Sequence, residues 1–199
     1  MIGAGLGGLS AARLELRRSG YEVRVLERRP ELAEVNTGLS LWALAIRRLA
    51  DLGLERGAFG SPLERLVHWT SDDAPLTDVR VPRLRGTRSY DVHRGELQAG
   101  LAAAIGLGSI SLGTSCVDVR ETAGRVEVEL ASGETETSDI VIGADGVHST
   151  VRSALLGPLA LRRDEGGVWR GVAELGEERL PRGLHLRYLG RERSSGSVD

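Results

Sequence analysis

The sequence predicts an α/β fold: a mostly parallel sheet covered by helices, with a smaller β-rich part after it. Three observations predict this. Gly3-Ala4-Gly5-Leu6-Gly7-Gly8 has the G-x-G-x-x-G spacing of a glycine turn that opens into a helix. Tyr21 to Glu27 reads as a strand that follows this helix and ends on an acid. Ile140-Val141-Ile142 is an apolar run of the kind that forms a buried parallel strand, and it leads into Asp145-Gly146. The carboxyl end of such a strand is where open α/β sheets bind ligands.

Composition narrows the class. The 199 residues suit one domain, or one domain and part of another. An apolar fraction of 41% supports a real core. A formal charge of −2 argues against nucleic acid or an anionic membrane as partner. All 26 basic residues are Arg, which points to a GC-rich bacterial genome because Arg codons are GC-rich. Cys116 is alone, so no internal disulfide is possible. The apolar start is too short and glycine-rich for a signal peptide, and no run is long enough to span a bilayer. The expected location is the cytoplasm.

The first unit carries its chemistry openly. Leu6 to Arg18 is predicted as a helix with Leu9, Ala12 and Leu16 on one face, stopped by Ser19-Gly20. Gly3 permits the tight turn, Gly5 lets backbone approach a pyrophosphate, and Gly8 lets the helix pack on the sheet. Backbone N–H groups at the helix start favour an anion. Glu27 lies nineteen residues past Gly8, where an acid accepts hydrogen bonds from a ribose. A dinucleotide is therefore the expected ligand.

Further along, Gly38 to Trp42 is a short apolar run, and Ala43 to Leu52 is a helix closed by Gly53. Arg65 to Thr70 and Asp78 to Val81 are predicted strands, punctuated by Pro75 and Pro82. Arg80, Arg83, Arg85 and Arg88 form a local basic cluster, either the solvated side of a hairpin or a guide for a phosphate-bearing reductant. Tyr90 to Leu97 passes from a strand end into a helix with Leu97, Leu101 and Ala104 or Ile105 inward. Ser109 to Leu112, Ser115 to Arg120 and Arg125 to Leu130 are predicted strands, with turns at Ala123-Gly124 and Ser132-Gly133. Ser149 to Leu155 is a predicted helix. Past Gly157-Pro158, Val168 to Val172 and Leu184 to Tyr188 are two more strands, and Arg191 to Asp199 has no core-forming pattern. His68, His93, His148 and His185 lack metal or triad spacing, so no metal site and no catalytic acid or base is nominated.

Three separated motifs together resemble the class A FAD-dependent monooxygenases, the group that includes para-hydroxybenzoate and salicylate hydroxylases. They are Gly3 to Ala12 with Glu27, His93-Arg94-Gly95-Glu96-Leu97, and Asp145-Gly146-Val147-His148-Ser149-Thr150-Val151-Arg152, which fits D-G-x-x-S-x-x-R throughout. The resemblance covers roughly residues 1 to 175. It implies a Rossmann-like FAD-binding domain of three-layer character over residues 1–157, with a partial β-rich substrate domain over 158–199 to which 65–88 contribute strands. It implies that Gly3, Gly5 and Gly8 form the dinucleotide turn, that Glu27 binds the adenosine ribose, and that Arg94 meets the pyrophosphate or ribitol of FAD. The backbone of Val117 would meet adenine, and Asp145-Gly146 would lie near the pyrophosphate. Ser149 would cap its helix and Arg152 would tie it down. The implied reaction uses NAD(P)H and O2 to hydroxylate or epoxidise an aromatic or alkene small molecule.

Two departures from the family shape the expectation. Only Met1-Ile2 stand where the family has its first strand, and the family's later Gly-Asp motif does not occur. The expectation is therefore an N-terminal fragment with a truncated first strand, not expected to be active by itself, with a complementary C-terminal chain as a partner. The alternatives are an FAD-dependent reductase or dehydrogenase of the same superfamily, and a non-catalytic nucleotide-binding remnant.

Overall fold

The computed structural model describes residues 1–12, 19–32, 37–54, 60–162, 171–173, 180–190 and 194–197. Contacts divide the chain into two compact units, Met1–Glu34 with Gln98–Trp169, and Val35–Leu97 with Arg170–Asp199.

In the first unit, α1 (Leu6–Ala11) leaves the glycine turn and buries Leu9 completely. The expected extension of this helix over 13–18 lies outside the described residues. β1 (Val25–Leu26) pairs in parallel with β7 (Ile110–Ser111). Ile2 bridges Leu26 on one side and Gly143 on the other, both in parallel, so the chain start occupies the centre of this ladder. Its bonds run from Leu26 N–H to Met1 O at 2.9 Å, Gly3 N–H to Leu26 O at 2.8 Å, Ile2 N–H to Ile142 O at 2.9 Å and Ala144 N–H to Ile2 O at 2.7 Å.

A ladder is only as long as its shortest member, and that corrects two expectations. The strand predicted over Tyr21–Glu27 forms only at Val25–Leu26, and Tyr21 is exposed. Ile140–Ile142 does not form the expected buried strand; Ile140 is 52% exposed, and only Gly143 is bridged. A two-residue neighbour satisfies two residues' worth of backbone and leaves the rest without a ladder.

β8 (Cys116–Thr122), β9 (Arg125–Leu130) and β10 (Thr135–Ser138) form an antiparallel meander. It packs Cys116, Val128 and Leu130 against Ile2, Leu26 and Val151 in one core cluster. Val151 comes from α4 (Thr150–Leu156). Successive strand residues point to opposite faces, and Val25 beside Leu26 is fully buried, so both faces of the parallel ladder are covered. That layering is what a Rossmann-like fold requires.

The second unit holds two sheets. β2 (Gly38–Leu41) and β3 (Gly60–Leu63) flank β6 (Ser89–His93) in antiparallel order. α2 (Ala43–Asp51) is held to this sheet by Ala43 N–H donating to buried Ser89 Oγ at 3.1 Å, and the chain turns away at Gly53. The other sheet runs β12 (Ser194–Ser197), β11 (Leu184–Leu189), β4 (Arg65–Thr70), β5 (Pro75–Arg80), with β11 and β4 parallel. Within the tail, Ser194–Ser197 thus supplies an edge strand through its backbone, although residues 191–199 lack a core-forming pattern. Of the strand predicted over Val168–Val172, residues 168–170 lie outside the described residues, and Gly171 and Val172 are not in a strand.

α3 (Arg94–Ile105) follows β6 and buries Leu97, Leu101 and Ile105 as its spacing predicts. Its first turn is capped by His93, whose Nδ1 accepts from Glu96 N–H at 3.4 Å.

Candidate functional site

The glycine turn is built by contact rather than by composition. Gly3 has φ +100°, and a Cβ there would stand 2.5 Å from Ala144 O. A Cβ on Gly8 would stand 2.1 Å from Gly3 O. Neither distance is possible for a real side chain, so both positions need glycine for close approach. Gly5 differs: its φ is −69°, and a Cβ there meets nothing within 4 Å. The space in front of Gly5 is open, and α1 begins there with no side-chain cap.

Glu27 is half-buried at the end of β1. Its Oε2 accepts from Ala4 N–H at 2.8 Å and its Oε1 from Arg29 N–H at 3.0 Å. Each carboxylate oxygen keeps further acceptor capacity. The loop leading to β8 is tied to the same place, with Thr114 N–H donating to Glu27 O at 2.9 Å and Gly113 N–H to Arg29 O at 2.8 Å. Three residues on, Val117 falls at a register shift, with Cys116 opposite Leu130 and Asp118 opposite Glu129. Val117 has no cross-strand partner and its side chain is exposed.

Asp145 sits beside the turn, since Gly3 packs against Ala144 and the Asp145 Cα. Its carboxylate is already engaged. Oδ1 accepts from Ser149 Oγ at 2.6 Å, and Oδ2 from Thr150 N–H at 2.6 Å and Val151 N–H at 3.2 Å. Ser149 is the N-cap of α4, accepting from Arg152 N–H at 2.9 Å. Arg152 Nη2 donates to Val147 O at 2.6 Å, while Arg152 Nε is buried without a partner among the described residues. Gly146 adopts φ +82°, which the turn between these bonds requires.

The structure therefore brings together Gly3, Gly5, Gly8, Glu27, Val117, Asp145 and Gly146 within the first unit. Arg94 belongs to the second unit by its contacts, as the first residue of α3. Its N–H donates to Thr37 O at 3.0 Å, and its guanidinium has no ion pair among the described residues. Sequence reasoning missed Gln98. This buried amide donates from Nε2 to Ala4 O at 2.7 Å and holds the turn from behind. The available signal was a polar residue on the otherwise apolar inner face of α3, beside Leu97 and Leu101.

Cys116 is buried, and desolvation pushes its thiol above the ordinary value, with the charges of Asp145 and Asp118 adding to the rise. Among the described residues no cluster of His, Cys, Asp or Glu is arranged to hold a metal, and no helix is long and apolar enough to cross a membrane.

A glycine turn open at its second glycine, an acid at the next strand end and a layered parallel ladder define a dinucleotide-binding protein of Rossmann-like fold. The chain belongs to the FAD binding domain family, which matches residues 1–169. Its relatives are class A FAD-dependent hydroxylases, as the motifs suggested. The FAD-dependent urate hydroxylase of Klebsiella pneumoniae is 32% identical over 197 residues, covering 96% of this chain and 51% of the relative. The 6-hydroxynicotinate 3-monooxygenase of Pseudomonas fluorescens is 35% identical over 166 residues, covering 79% of this chain and 43% of the relative. The crystal structure of Klebsiella pneumoniae HpxO complexed with FAD and uric acid superposes with a TM-score of 0.84 at 28% identity, over 99% of this chain and 51% of that one. The chain thus spans about half the length of the relatives it matches most fully.

Proposed function

We propose that this chain holds FAD and that the whole protein is a monooxygenase that uses NAD(P)H and O2 to hydroxylate or epoxidise a small aromatic or alkene substrate. One observation carries the reading: the open backbone at Gly5 lies between two glycine contacts that no side chain could replace. Glu27 and Asp145-Gly146 border it in a family of FAD binding domains. The relatives act on urate and 6-hydroxynicotinate, which favours an oxygenated aromatic ring over an isolated alkene.

In this reading the turn Gly3–Gly8 receives the pyrophosphate, and Glu27 accepts from the adenosine ribose while bracing Ala4. Val117, at the register shift of β8, would present its backbone to adenine. Arg94, with its uncommitted guanidinium, meets the pyrophosphate or ribitol. Asp145 and Ser149 hold the Gly146 turn in shape. Bound FAD supplies the redox chemistry; the protein groups bind, orient and exclude water. Residues 1–157 form the FAD-binding part and 158–199 belong to the substrate side, with 65–88 contributing strands. The shared sheet of β4, β5, β11 and β12 supports that last assignment.

Purified chain titrated with FAD tests the binding step. Quenching of flavin fluorescence at a one-to-one end point is expected. No saturable binding would sink the reading for this chain. Oxygenation is tested on the whole protein, by NAD(P)H-dependent O2 uptake matched by hydroxylated product; NAD(P)H oxidation without oxygen insertion would make it a reductase instead.

A further inference from the structure

The second unit contains an open cavity of about 440 Å³ lined by Arg65, Arg80, Arg83, Arg88 and Arg182, with Glu64 as its single acidic lining residue. Nothing in the FAD reading uses it. The chain geometry that builds it forces like charges together. β4 and β5 pair Arg65 directly opposite Arg80. Beyond β5, a two-residue hairpin turn at Arg85 (φ 48°) and Gly86 (φ 79°) is closed by Leu84 N–H to Thr87 O at 2.9 Å and Thr87 N–H to Leu84 O at 3.0 Å. Positive φ at both central residues makes this the tight turn whose twist suits a hairpin. Arg83 and Arg88 flank the Leu84–Thr87 bridge on either side.

Like charges directly opposite each other on paired strands destabilise a sheet. Asp78 relieves the Arg65–Arg80 pair, most directly at Arg65, with Arg80 also within its field. Arg65 donates to Asp78, through Nε to Oδ1 at 2.6 Å and through Nη2 to Oδ2, and this bond holds the Asp78 carboxyl below its usual range. Arg88 Nη1 donates to Glu64 Oε1 at 2.8 Å. Arg80 and Arg83 thus line one cavity without an ion pair among the described residues, Arg80 lying in the field of Asp78. The rear wall is rigid backbone: Glu64 and Arg65 N–H both donate to Gly183 O, at 2.9 and 3.0 Å, and Val81 N–H donates to Glu64 O at 2.8 Å. Paired guanidinium groups match the oxygens of a phosphate in number and in planar geometry, and the cavity is in the size range of small-molecule sites.

We propose that this cavity binds a phosphate-bearing small molecule, with Arg80 and Arg83 as the residues that hold the phosphate. The ligand is either a free phosphate or pyrophosphate, or the phosphate of a nucleotide. The site does not depend on FAD.

Calorimetric titration of the chain in low-salt buffer with inorganic pyrophosphate, NADPH and NADH tests it. One saturable site is expected for pyrophosphate or for NADPH, weakened about tenfold or more in R80Q/R83Q and weakened by added NaCl. NADPH held more tightly than NADH, with the difference lost in R80Q/R83Q, makes a nucleotide phosphate the ligand; pyrophosphate bound with no such difference makes it a free phosphate. R48Q, on α2 and away from the cavity, is expected to bind as the parent does. Unchanged thermal unfolding and unchanged FAD titration in R80Q/R83Q keep this outcome separate from folding and from the FAD reading. The proposal is overturned by no saturable binding of either probe, by equal affinity in R80Q/R83Q and parent, or by an equal loss in R48Q.

Discussion

Two helix starts in the first unit face the same problem and solve it differently. At α4 the free backbone N–H groups are taken by the protein: Asp145 accepts from Thr150 and Val151, and Ser149 accepts from Arg152. At α1 the N-cap is Gly5, with no side-chain cap and open space in front of it. A helix leaves its first N–H groups without intrahelical partners, and each must find one elsewhere. The α4 start is closed and structural. The α1 start is left open, and in the proposed reading it is where the FAD pyrophosphate binds.

The sharpest break in this comparison is Gly8→Val. A side chain 2.1 Å from Gly3 O has no room, so the turn must open, with a stability loss of at least about 3 kcal/mol and no FAD binding. Urea unfolding and FAD titration read both. Asp145→Ala comes next. It removes three hydrogen bonds to a carboxylate, and a loss of about 3 kcal/mol is expected in urea unfolding. Near-parental stability would mean that α4 is closed by something else.

Gly5→Ala tests the open side directly. The extended backbone and empty surroundings of Gly5 accept a methyl group, so stability changes by no more than about 0.5 kcal/mol. FAD affinity nevertheless falls about tenfold or more, because the methyl occupies the ligand's approach. A variant that binds FAD as the parent does would show that the open space is not the ligand's. Ser149→Ala removes a single cap and is expected to cost about 1 kcal/mol in the same unfolding measurement.

The smallest effect is on pH. Burial raises the Cys116 thiol, and the Asp145 charge adds to the rise. The fold therefore disfavours the thiolate. Stability is unaffected below the ordinary thiol value and declines as pH rises above it. Thiol labelling at pH 8 is expected to be slow in the folded chain and fast in urea. Fast labelling of folded protein would place Cys116 outside the core.

Elements with their own internal pattern were legible in the residues. β9 alternates Val126, Val128 and Leu130, and β4, α2 and α4 were found within a residue or two. The expected inward residues of α3 are buried. β10 was missed because Thr135-Glu136-Thr137-Ser138 has no apolar residue; it exists through its backbone pairing with β9. Ile140–Ile142 was misread because an apolar run says that burial is favourable, not that a ladder partner is present.

The motifs at Gly3–Ala12 with Glu27, His93–Leu97 and Asp145–Arg152 were enough to point to the family. Glycine requirements and strand-end acids are local, and local geometry is written in neighbouring residues. Other features depended on residues far apart in the chain. Gln98 bracing Ala4, Gly3 packed on Ala144, Val117 stranded at a register shift and Arg65 set opposite Arg80 are all long-range placements. Each depends on which strands pair and in which register, and strand register is settled by the whole core at once. Tertiary structure thus decided which side chains were already spent on the protein, as at Asp145, and which were left free, as at Arg83.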